Sequence, residues 1–217
     1  MVVTKKIRVM DIEANGLLRQ ATKIHCIVFS DLKKQEVVKF GPDEIKKALD
    51  YLQSCDVLIG HNILEYDLPL IEKLHGIKFK GTKVDTLIMS RLLNPKRFLP
   101  PNAKDRKAGP HGLNAWGVRC GIDKPEHEDW ENFSPEMMHR CAEDVSINVT
   151  TYHMLMEEAK NGDWHKAFLL SFKFFENIYR QADYGWKFDV EWARLCIQTL
   201  DKRFQRIDAA VVPKLPT

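Results

Sequence analysis

The amino-acid sequence predicts an α/β protein in which helices flank a mixed β-sheet and a helical extension follows at the C-terminal end. Three observations lead to this fold class. Runs rich in strand-forming residues lie within the first 60 residues, helical periodicity fills the segments between and after them, and only helical patterns and their connections follow residue 134. The predicted order is β-β-β-α-β-α, followed by further helices.

The predicted sheet begins with a hydrophobic strand that starts at residue 7 and runs into an Asn-Gly turn. Residues 24–31 and 36–40 are rich in strand-forming types and are separated by a polar turn, so the three segments predict a meander. The short apolar run at 56–60 is typical of a buried strand parallel to the first. The apolar stretch at 84–93 fits either a strand end or a helix.

Helices are predicted from apolar spacing and from capping residues. Ser134 is a suitable N-cap with Pro135 at the first helical position, which predicts a long helix that ends near residue 160. The intervening residues 94–112 are rich in proline, glycine and basic residues and predict an irregular surface loop. The other predicted helices cover residues 43–53, 64–75, 113–120, 168–181 and 190–207.

Composition and charge narrow the functional class. A chain of 217 residues with 44% hydrophobic and 29% charged residues is ordinary for a globular protein. Its net charge of +3 is too small to indicate a nucleic-acid partner without local clustering. The five cysteines form no Cys-x-x-Cys pair, and no apolar run approaches the roughly 18–20 residues of a membrane span. We therefore expect a cytoplasmic protein with no membrane partner.

Two acidic residues stand together near the end of the first predicted strand. Asp11 and Glu13 are two residues apart, so their side chains project from the same face. Neighbouring carboxylates repel each other unless a cation lies between them, and Mg²⁺ takes oxygen ligands of this kind. The alternative is an exposed strand end whose acidic side chains are simply solvated.

Two more acidic residues join the prediction from other segments. Asp67 lies early in the helix after the buried strand, at the edge where open α/β sheets bind ligands. Asp144 lies on the long helix. A single aspartate on a helix is usually solvated, so the prediction rests on the set of four carboxylates rather than on any one of them.

Three ordered motifs in this chain resemble those of the DEDD-type (DnaQ-like) 3′–5′ exonucleases. They are Asp11 with Glu13, residues 61–62 with Asp67, and His139 followed by Asp144. The resemblance is closer to the proofreading domain of T7-like phage family A DNA polymerases, spans about residues 7–160, and implies a ribonuclease H-like mixed sheet. Segments that look similar also include 11–18, 22–26, 84–93, 115–117, 132–138 and the tail from residue 168.

The resemblance implies a two-metal phosphodiesterase that uses Mg²⁺ or Mn²⁺. By motif position, Asp11 would bridge both ions, and Glu13 and Asp144 would complete the ion that activates water. Asp67 would act on the second ion through water, and Asn62 would hydrogen-bond the substrate or orient that shell. The expected products are nucleoside 5′-monophosphates released from a 3′ end.

The general base is the position where this chain departs from its closer relatives. The T7-like members place a tyrosine four residues before the final aspartate, where this chain has Arg140, which cannot deprotonate water. His139 matches the base of the His-type subfamily instead, and we expect it to serve as the base. If the helix starts at Pro135, however, His139 lies about 140° around the axis from Asp144. Arg140 would then face the substrate phosphate.

Contacts to a single-stranded or frayed 3′ end are expected from apolar wedges and cations near the site. Leu17, Leu18 and Tyr66 are the apolar candidates, and Lys96 and Arg97 of the basic loop are the cationic ones. The alternative for Leu17 and Leu18 is a place in the core, which explains them equally well. The alternative for the charged residues of the loop is that they only keep the protein soluble.

We expect a 3′–5′ exodeoxyribonuclease domain over residues 1–162 and a helical extension over residues 163–217. It would proofread as a separate module or as part of a DNA polymerase, and the extension would fold back on the nuclease body or dock a polymerase subunit. The alternatives are an exoribonuclease of the same superfamily and a catalytically silent module that binds a primer end or a polymerase.

Overall fold

A computed structural model describes residues 5–34, 36–104, 106–122 and 129–214. Their contacts divide the chain into two units, Met1–Tyr179 and Arg180–Thr217. The functional division between residues 162 and 163 stays a prediction.

A five-stranded mixed sheet forms the centre of the first unit, as the sequence predicts. Its strand order is β3-β2-β1-β4-β5. The pairs β1–β2 and β2–β3 are antiparallel and form the predicted meander, whereas β1–β4 and β4–β5 are parallel. The strands are β1 (Ile7–Ala14), β2 (Ile24–Asp31), β3 (Val37–Phe40), β4 (Val57–Gly60) and β5 (Thr82–Asp85).

Seven α-helices are found among the described residues, and none of them is long and apolar enough to cross a membrane. Ser134 caps the long helix as predicted, because its hydroxyl accepts the backbone N–H of Met137 at 3.1 Å. The stretch at 84–93 contains both alternatives, a strand end and then a helix. The helices are α1 (Ile45–Gln53), α2 (Asp67–His75), α3 (Thr86–Leu93), α4 (Leu113–Cys120), α5 (Pro135–Ala159), α6 (His165–Tyr184) and α7 (Val190–Val211).

The two faces of β1 contribute to two different buried clusters. On β1, Val9 faces a buried cluster that includes Met137 and Val145 of α5. The alternate residues Met10 and Ile12 belong to the larger core on the opposite face. Because side chains alternate along a strand, Asp11 and Glu13 continue the row of Val9 towards the end of β1, on the side that α5 covers.

The second unit consists mainly of α7 and carries many exposed apolar side chains. Asp189 caps this helix, and its carboxylate accepts the backbone N–H of Trp192 at 2.9 Å. The helix has no buried residue. Its exposed apolar residues include Trp192, Leu195, Ile197, Leu200, Phe204 and Ile207.

Candidate active site

Three of the four predicted carboxylates converge at the end of β1. Asp11, Glu13 and Asp144 each offer an oxygen atom, and these atoms all lie within 4.8 Å of one another. Glu13 and Asp144 are only 7% and 4% exposed. Like charges this close and this shielded from water repel strongly, so the arrangement favours a bound cation.

Helix α5 reaches this point because it packs directly on β1. The thiol of Cys141 donates to the backbone oxygen of Asp11 at 3.4 Å and to its Oδ2 at 3.6 Å. Asp144 lies three residues later, one turn along the same helical face. Burial, the neighbouring Cys26 thiol and the charges of Asp11 and Glu13 raise the pKa of Cys141 well above its usual value, so this thiol is protonated and can donate.

Asp67 lies beside this group but outside it. It is the first residue of α2 and is 4% exposed. Burial raises its pKa to about 8, with further contributions from the charges of Asp85 and Glu13, while the backbone N–H groups of Asp67 and Ile12 act in the opposite direction. The side chain of Asp67 therefore lies close to β1, near Glu13 and the backbone N–H of Ile12.

The turn after β4 carries Asn62 in an unusual conformation. Its φ angle is +65°, in the left-handed region that asparagine tolerates better than most residues. This turn delays the start of α2 to Asp67, whereas the sequence predicted a helix from residue 64. Among the described residues, none hydrogen-bonds to the buried Asn62 Oδ1, so this oxygen is available to a ligand.

Asp85 is a positioning residue that the sequence reasoning missed. It is fully buried, and its carboxylate accepts the backbone N–H groups of Asn62 and Leu64 at 3.2 Å and those of Leu87 and Ile88 at 3.0 and 3.2 Å. It thus caps α3 and fixes the turn after β4. Burial raises its pKa to about 6. An aspartate between a strand and an apolar helical run is the N-cap signal that could have identified it.

A buried polar chain connects the same turn to α5. The Thr86 hydroxyl donates to Oδ1 of Asn148 at 2.7 Å and lies 2.9 Å from Nδ1 of His61. Asn148 lies one turn after Asp144 on α5. The turn after β4, the start of α3 and the helix that carries Asp144 are therefore held in one arrangement.

His139 is not brought to the carboxylates, contrary to expectation. Helix α5 starts at Pro135, as its capping signal indicates, and the side chain of His139 is exposed. Five residues of regular helix separate His139 and Asp144 by about 140°, so they point in different directions. Arg140 lies there instead, with its Nε 3.2 Å from Oε1 of Glu13.

The loop after β1 presents one apolar side chain to solvent. Leu17 is 73% exposed, whereas Leu18 packs against the core, so the two leucines have different environments. The Tyr66 hydroxyl donates to the backbone oxygen of Gly16 at 2.7 Å. Burial and the charges of the nearby acidic residues raise the pKa of Tyr66 to about 12, which keeps the phenol protonated.

Lys73 is a second positioning residue that the sequence reasoning missed. From α2 its ammonium group donates to the backbone oxygens of Leu18, Arg19 and Ala21 at 2.8, 3.0 and 2.9 Å. These three contacts use all the donors of the group. The conformation of the loop that displays Leu17 is therefore set by α2, and nothing in the local sequence near Lys73 signals that role.

The structure separates the two cationic residues that were expected to bind substrate. Lys96 is exposed, whereas the Arg97 guanidinium binds both carboxylate oxygens of Glu158 at 2.9 and 2.7 Å and lies 4.6 Å from the centroid of the Trp116 ring. Glu158 is fourteen residues from Asp144 on α5, or about 21 Å along the axis. Arg97 therefore anchors its loop to the far end of α5, contrary to the expected contact at the site.

The donor set suits a hard divalent cation. Asp11, Glu13 and Asp144 supply carboxylate oxygens, the ligands that Mg²⁺ and Mn²⁺ prefer, and Oδ1 of Asn62 is a further buried oxygen acceptor. Asp11, Glu13 and Asp144 together offer oxygen ligands for one ion.

Comparison with known proteins finds relatives in sequence and in fold. No family model matches the chain. The DNA-directed DNA polymerases of Escherichia phage T7 and Enterobacteria phage T3 are each 29% identical over an alignment of 192 residues, which covers 69% of this chain and 26% of each polymerase. The chain thus spans about a quarter of the length of these relatives.

Solved structures give the same fold. Brucella melitensis NrnC matches with a TM-score of 0.60 at 19% identity, covering 86% of this chain and 90% of NrnC. Escherichia coli RNase D, an exoribonuclease, matches with a TM-score of 0.57 at 17% identity, covering 82% of this chain and 46% of RNase D. The chain therefore has the same fold as NrnC and RNase D.

Other solved structures with a similar fold contain ligands. Escherichia coli Exonuclease I in complex with a dT13 oligonucleotide matches with a TM-score of 0.50 at 12% identity, covering 73% of this chain and 42% of that protein. NrnC has been solved with bound Mg²⁺ and bound to pGG.

Proposed function

We propose that this DnaQ-like domain is a metal-dependent 3′–5′ exodeoxyribonuclease that releases nucleoside 5′-monophosphates and uses two divalent cations, Mg²⁺ or Mn²⁺. The observation that carries the proposal is the convergence of Asp11, Glu13 and Asp144, with Asp67 buried beside them. When bound, the two ions would activate water and stabilise the developing charge on the leaving oxygen.

The side chains of the chain itself have distinct tasks in this proposal. Asp11, Glu13 and Asp144 would hold the first ion, and Asp11 and Asp67 would hold the second. The Asn62 carboxamide hydrogen-bonds the terminal nucleotide through its unoccupied Oδ1. Leu17, displayed on a fixed loop, packs against a terminal base, since apolar side chains grip unpaired strands without reading their sequence.

The proposal contains no side-chain general base. His139 is exposed on the other side of α5, and the guanidinium of Arg140 cannot act as a base. A bound divalent cation would lower the pKa of a coordinated water, so the attacking water would not need a side-chain base. This predicts a strong rise of the hydrolysis rate with pH.

DNA is proposed as the substrate because the sequence relatives are DNA polymerases, whereas the structural neighbours that act on RNA are less than 20% identical. Proofreading in association with a polymerase, either as part of the same chain or as a separate subunit in the cytoplasm, is proposed on the same basis. The exposed apolar residues of α7 are consistent with such a partner.

A degradation assay tests this function. A 5′-labelled single strand of DNA and an RNA strand of the same sequence are incubated with Mg²⁺, with Mn²⁺ and with EDTA. We expect shortening from the 3′ end on DNA, mononucleotide products, and complete loss in EDTA. Replacing Asp11 and Glu13 by alanine should reduce the rate at least about 10³-fold, while Asp201→Ala, an exposed acidic residue of α7, should leave it unchanged.

Three results would contradict the proposal. Unchanged hydrolysis by the double variant would place the chemistry elsewhere. Faster degradation of the RNA strand would assign the domain to the exoribonucleases instead, and binding of a 3′ end without hydrolysis would assign it to catalytically silent modules.

A further inference from the structure

The guanidinium of Arg140 lies on the carboxylate cluster rather than in solvent. Its Nε is 3.2 Å from Oε1 of Glu13, and the two side chains are only 17% and 9% exposed. An ion pair shielded to this degree is screened by salt much less than a surface pair, and removing one partner leaves the other charge poorly compensated. The contact occupies one of the two carboxylate oxygens of Glu13, a residue of the candidate metal centre.

Trp130 holds this guanidinium in place. The centroid of its ring lies 5.0 Å from Cζ of Arg140, within the range of a cation–π interaction. The backbone oxygen of Trp130 lies 2.9 Å from Nε2 of His25 on β2, and Asp129 accepts the backbone N–H of Glu131 at 3.0 Å. The segment that carries the ring is therefore attached to the sheet, so Arg140 is positioned before a ligand arrives.

We propose that Arg140 is the resident counter-ion of Glu13, that a divalent cation displaces it, and that the displaced guanidinium then contacts a phosphate of the bound strand. The inference rests on the proposed function, because it takes Glu13 as a metal ligand. In the absence of metal the guanidinium offsets part of the repulsion among Asp11, Glu13 and Asp144. Once a cation takes Glu13, the guanidinium loses its contact with that carboxylate, and its planar fork of donors matches a phosphate group.

Displacement couples the binding of metal to the binding of nucleic acid. The Arg140–Glu13 pair lowers the affinity for metal in the absence of a strand, because the pair must be broken first. A strand phosphate gives the released guanidinium a new partner and removes that penalty. Since coupling between two ligands is reciprocal, the metal must also strengthen the grip of Arg140 on the strand. A purely structural ion pair would have neither effect.

The test measures Mn²⁺ binding by isothermal titration calorimetry on the full chain, without nucleic acid. We expect Arg140→Gln to bind Mn²⁺ about tenfold more tightly than the wild-type protein, because the competing charge-assisted contact is gone. Trp130→Leu, which weakens the hold on the guanidinium, should shift the affinity in the same direction by a smaller factor. Arg194→Gln removes a comparable contact between Arg194 and Glu191 in α7 and should leave the affinity unchanged.

A second measurement uses a phosphorothioate oligonucleotide that resists hydrolysis. With saturating Mn²⁺, Arg140→Gln should bind this strand several-fold more weakly than the wild-type protein, while Arg140→Lys should keep part of the affinity through its charge. Folding of each variant is checked by its thermal unfolding in EDTA.

The outcomes separate this inference from the proposed function. Equal or weaker Mn²⁺ binding by a folded Arg140→Gln variant would overturn the counter-ion role alone, as would unchanged binding of the oligonucleotide. Absence of Mn²⁺ binding by the wild-type protein would overturn the two-metal function, and the inference with it.

Discussion

The thiol of Cys141 lies 3.6 Å from Oδ2 of Asp11, so the helix and the strand that build the candidate metal centre are in direct contact at that centre. Cys141 is fully buried. The position of a carboxylate oxygen is therefore tied to the packing of α5 on β1, and small changes in that packing should be felt in the chemistry.

We predict that Cys141→Ala lowers the free energy of unfolding by about 1–2 kcal/mol, through a small cavity and the loss of the contact to Asp11. Urea denaturation measures the change, and the variant should also lose part of its nuclease rate. Cys196→Ala is the matched control, because Cys196 is exposed on α7. A variant at position 141 as stable as this control would show that the thiol contributes nothing.

Lys73→Met should impair substrate binding more than turnover. Loss of the three hydrogen bonds to the loop would let Leu17 sample several positions. Substrate binding would then have to order Leu17, and the entropy cost of that ordering would weaken binding. We expect KM for an oligonucleotide to rise by about tenfold with kcat within about twofold of the wild-type value.

Lys78→Met is the control for that measurement, because Lys78 pairs with Glu72 on the surface and does not touch the loop. If Leu17→Ala and Lys73→Met raised KM additively in the double variant, the two residues would act independently and the positioning role of Lys73 would be wrong.

Asp67 should make metal binding depend on pH. Its pKa is raised to about 8 in the metal-free fold, so the carboxyl is mostly protonated at neutral pH, and a cation must release that proton to bind. Affinity for Mn²⁺ should therefore increase from pH 6.5 to pH 8.5. Calorimetry in buffers of different ionisation enthalpy should detect the released proton, and Asp67→Asn should abolish the release.

The raised pKa of Asp67 should make the metal-free protein less stable as the pH rises, whereas it should make metal binding stronger. Because the folded pKa lies above the unfolded value of about 3.8, Asp67 carries no penalty below that value, and its contribution becomes increasingly unfavourable as pH rises towards about 8. In EDTA at pH 8.5, Asp67→Asn should be more stable than the wild-type protein by about 1 kcal/mol or more. The difference should shrink at pH 5; a difference independent of pH would contradict the assigned shift.

Asp85→Asn should destabilise the fold and disturb the site together. An asparagine has one acceptor oxygen for the four backbone N–H groups that Asp85 binds, and its amide donors would face other donors. We expect a loss of about 2–4 kcal/mol in urea denaturation and a lower nuclease rate, because the turn that carries Asn62 is released.

Asp189→Asn provides the comparison for a helix cap alone. Its carboxylate accepts one backbone N–H, that of Trp192, in an exposed position. Asparagine is nearly as good an N-cap as aspartate, so the change should be within about 0.5 kcal/mol. A similar small effect at position 85 would mean that the buried carboxylate has no special role.

Local patterns predicted those parts of the site that depend on periodicity. The spacing of Asp11 and Glu13 placed both on one face of a strand, and the capping signal at Ser134 fixed where α5 starts. That same start excludes His139 from the carboxylate cluster, so the sequence contained both the expectation and the reason against it. The motif resemblance favoured His139 as the base, whereas the geometry of the helix excludes it.

Contacts between distant segments could not be predicted in this way. Arg97 belongs to a basic loop in the sequence, but its partner Glu158 is 61 residues away and its ring neighbour Trp116 is on α4. Lys73 likewise binds backbone oxygens, which carry no residue-specific signal. Whether a cation meets a carboxylate, a carbonyl or a phosphate depends on the folded arrangement and not on its neighbours in the chain.

The alternation of β1 has a consequence for how the molecule can misfold. A slip of this strand by one residue against β2 and β4 would exchange its two rows of side chains, placing Asp11 and Glu13 in the apolar layer and Met10 and Ile12 beneath α5. Such a state would bury two charges without partners, at a cost of several kcal/mol each. Asp11 and Glu13, which belong to the candidate metal centre, therefore also disfavour the wrong strand pairing while the sheet assembles.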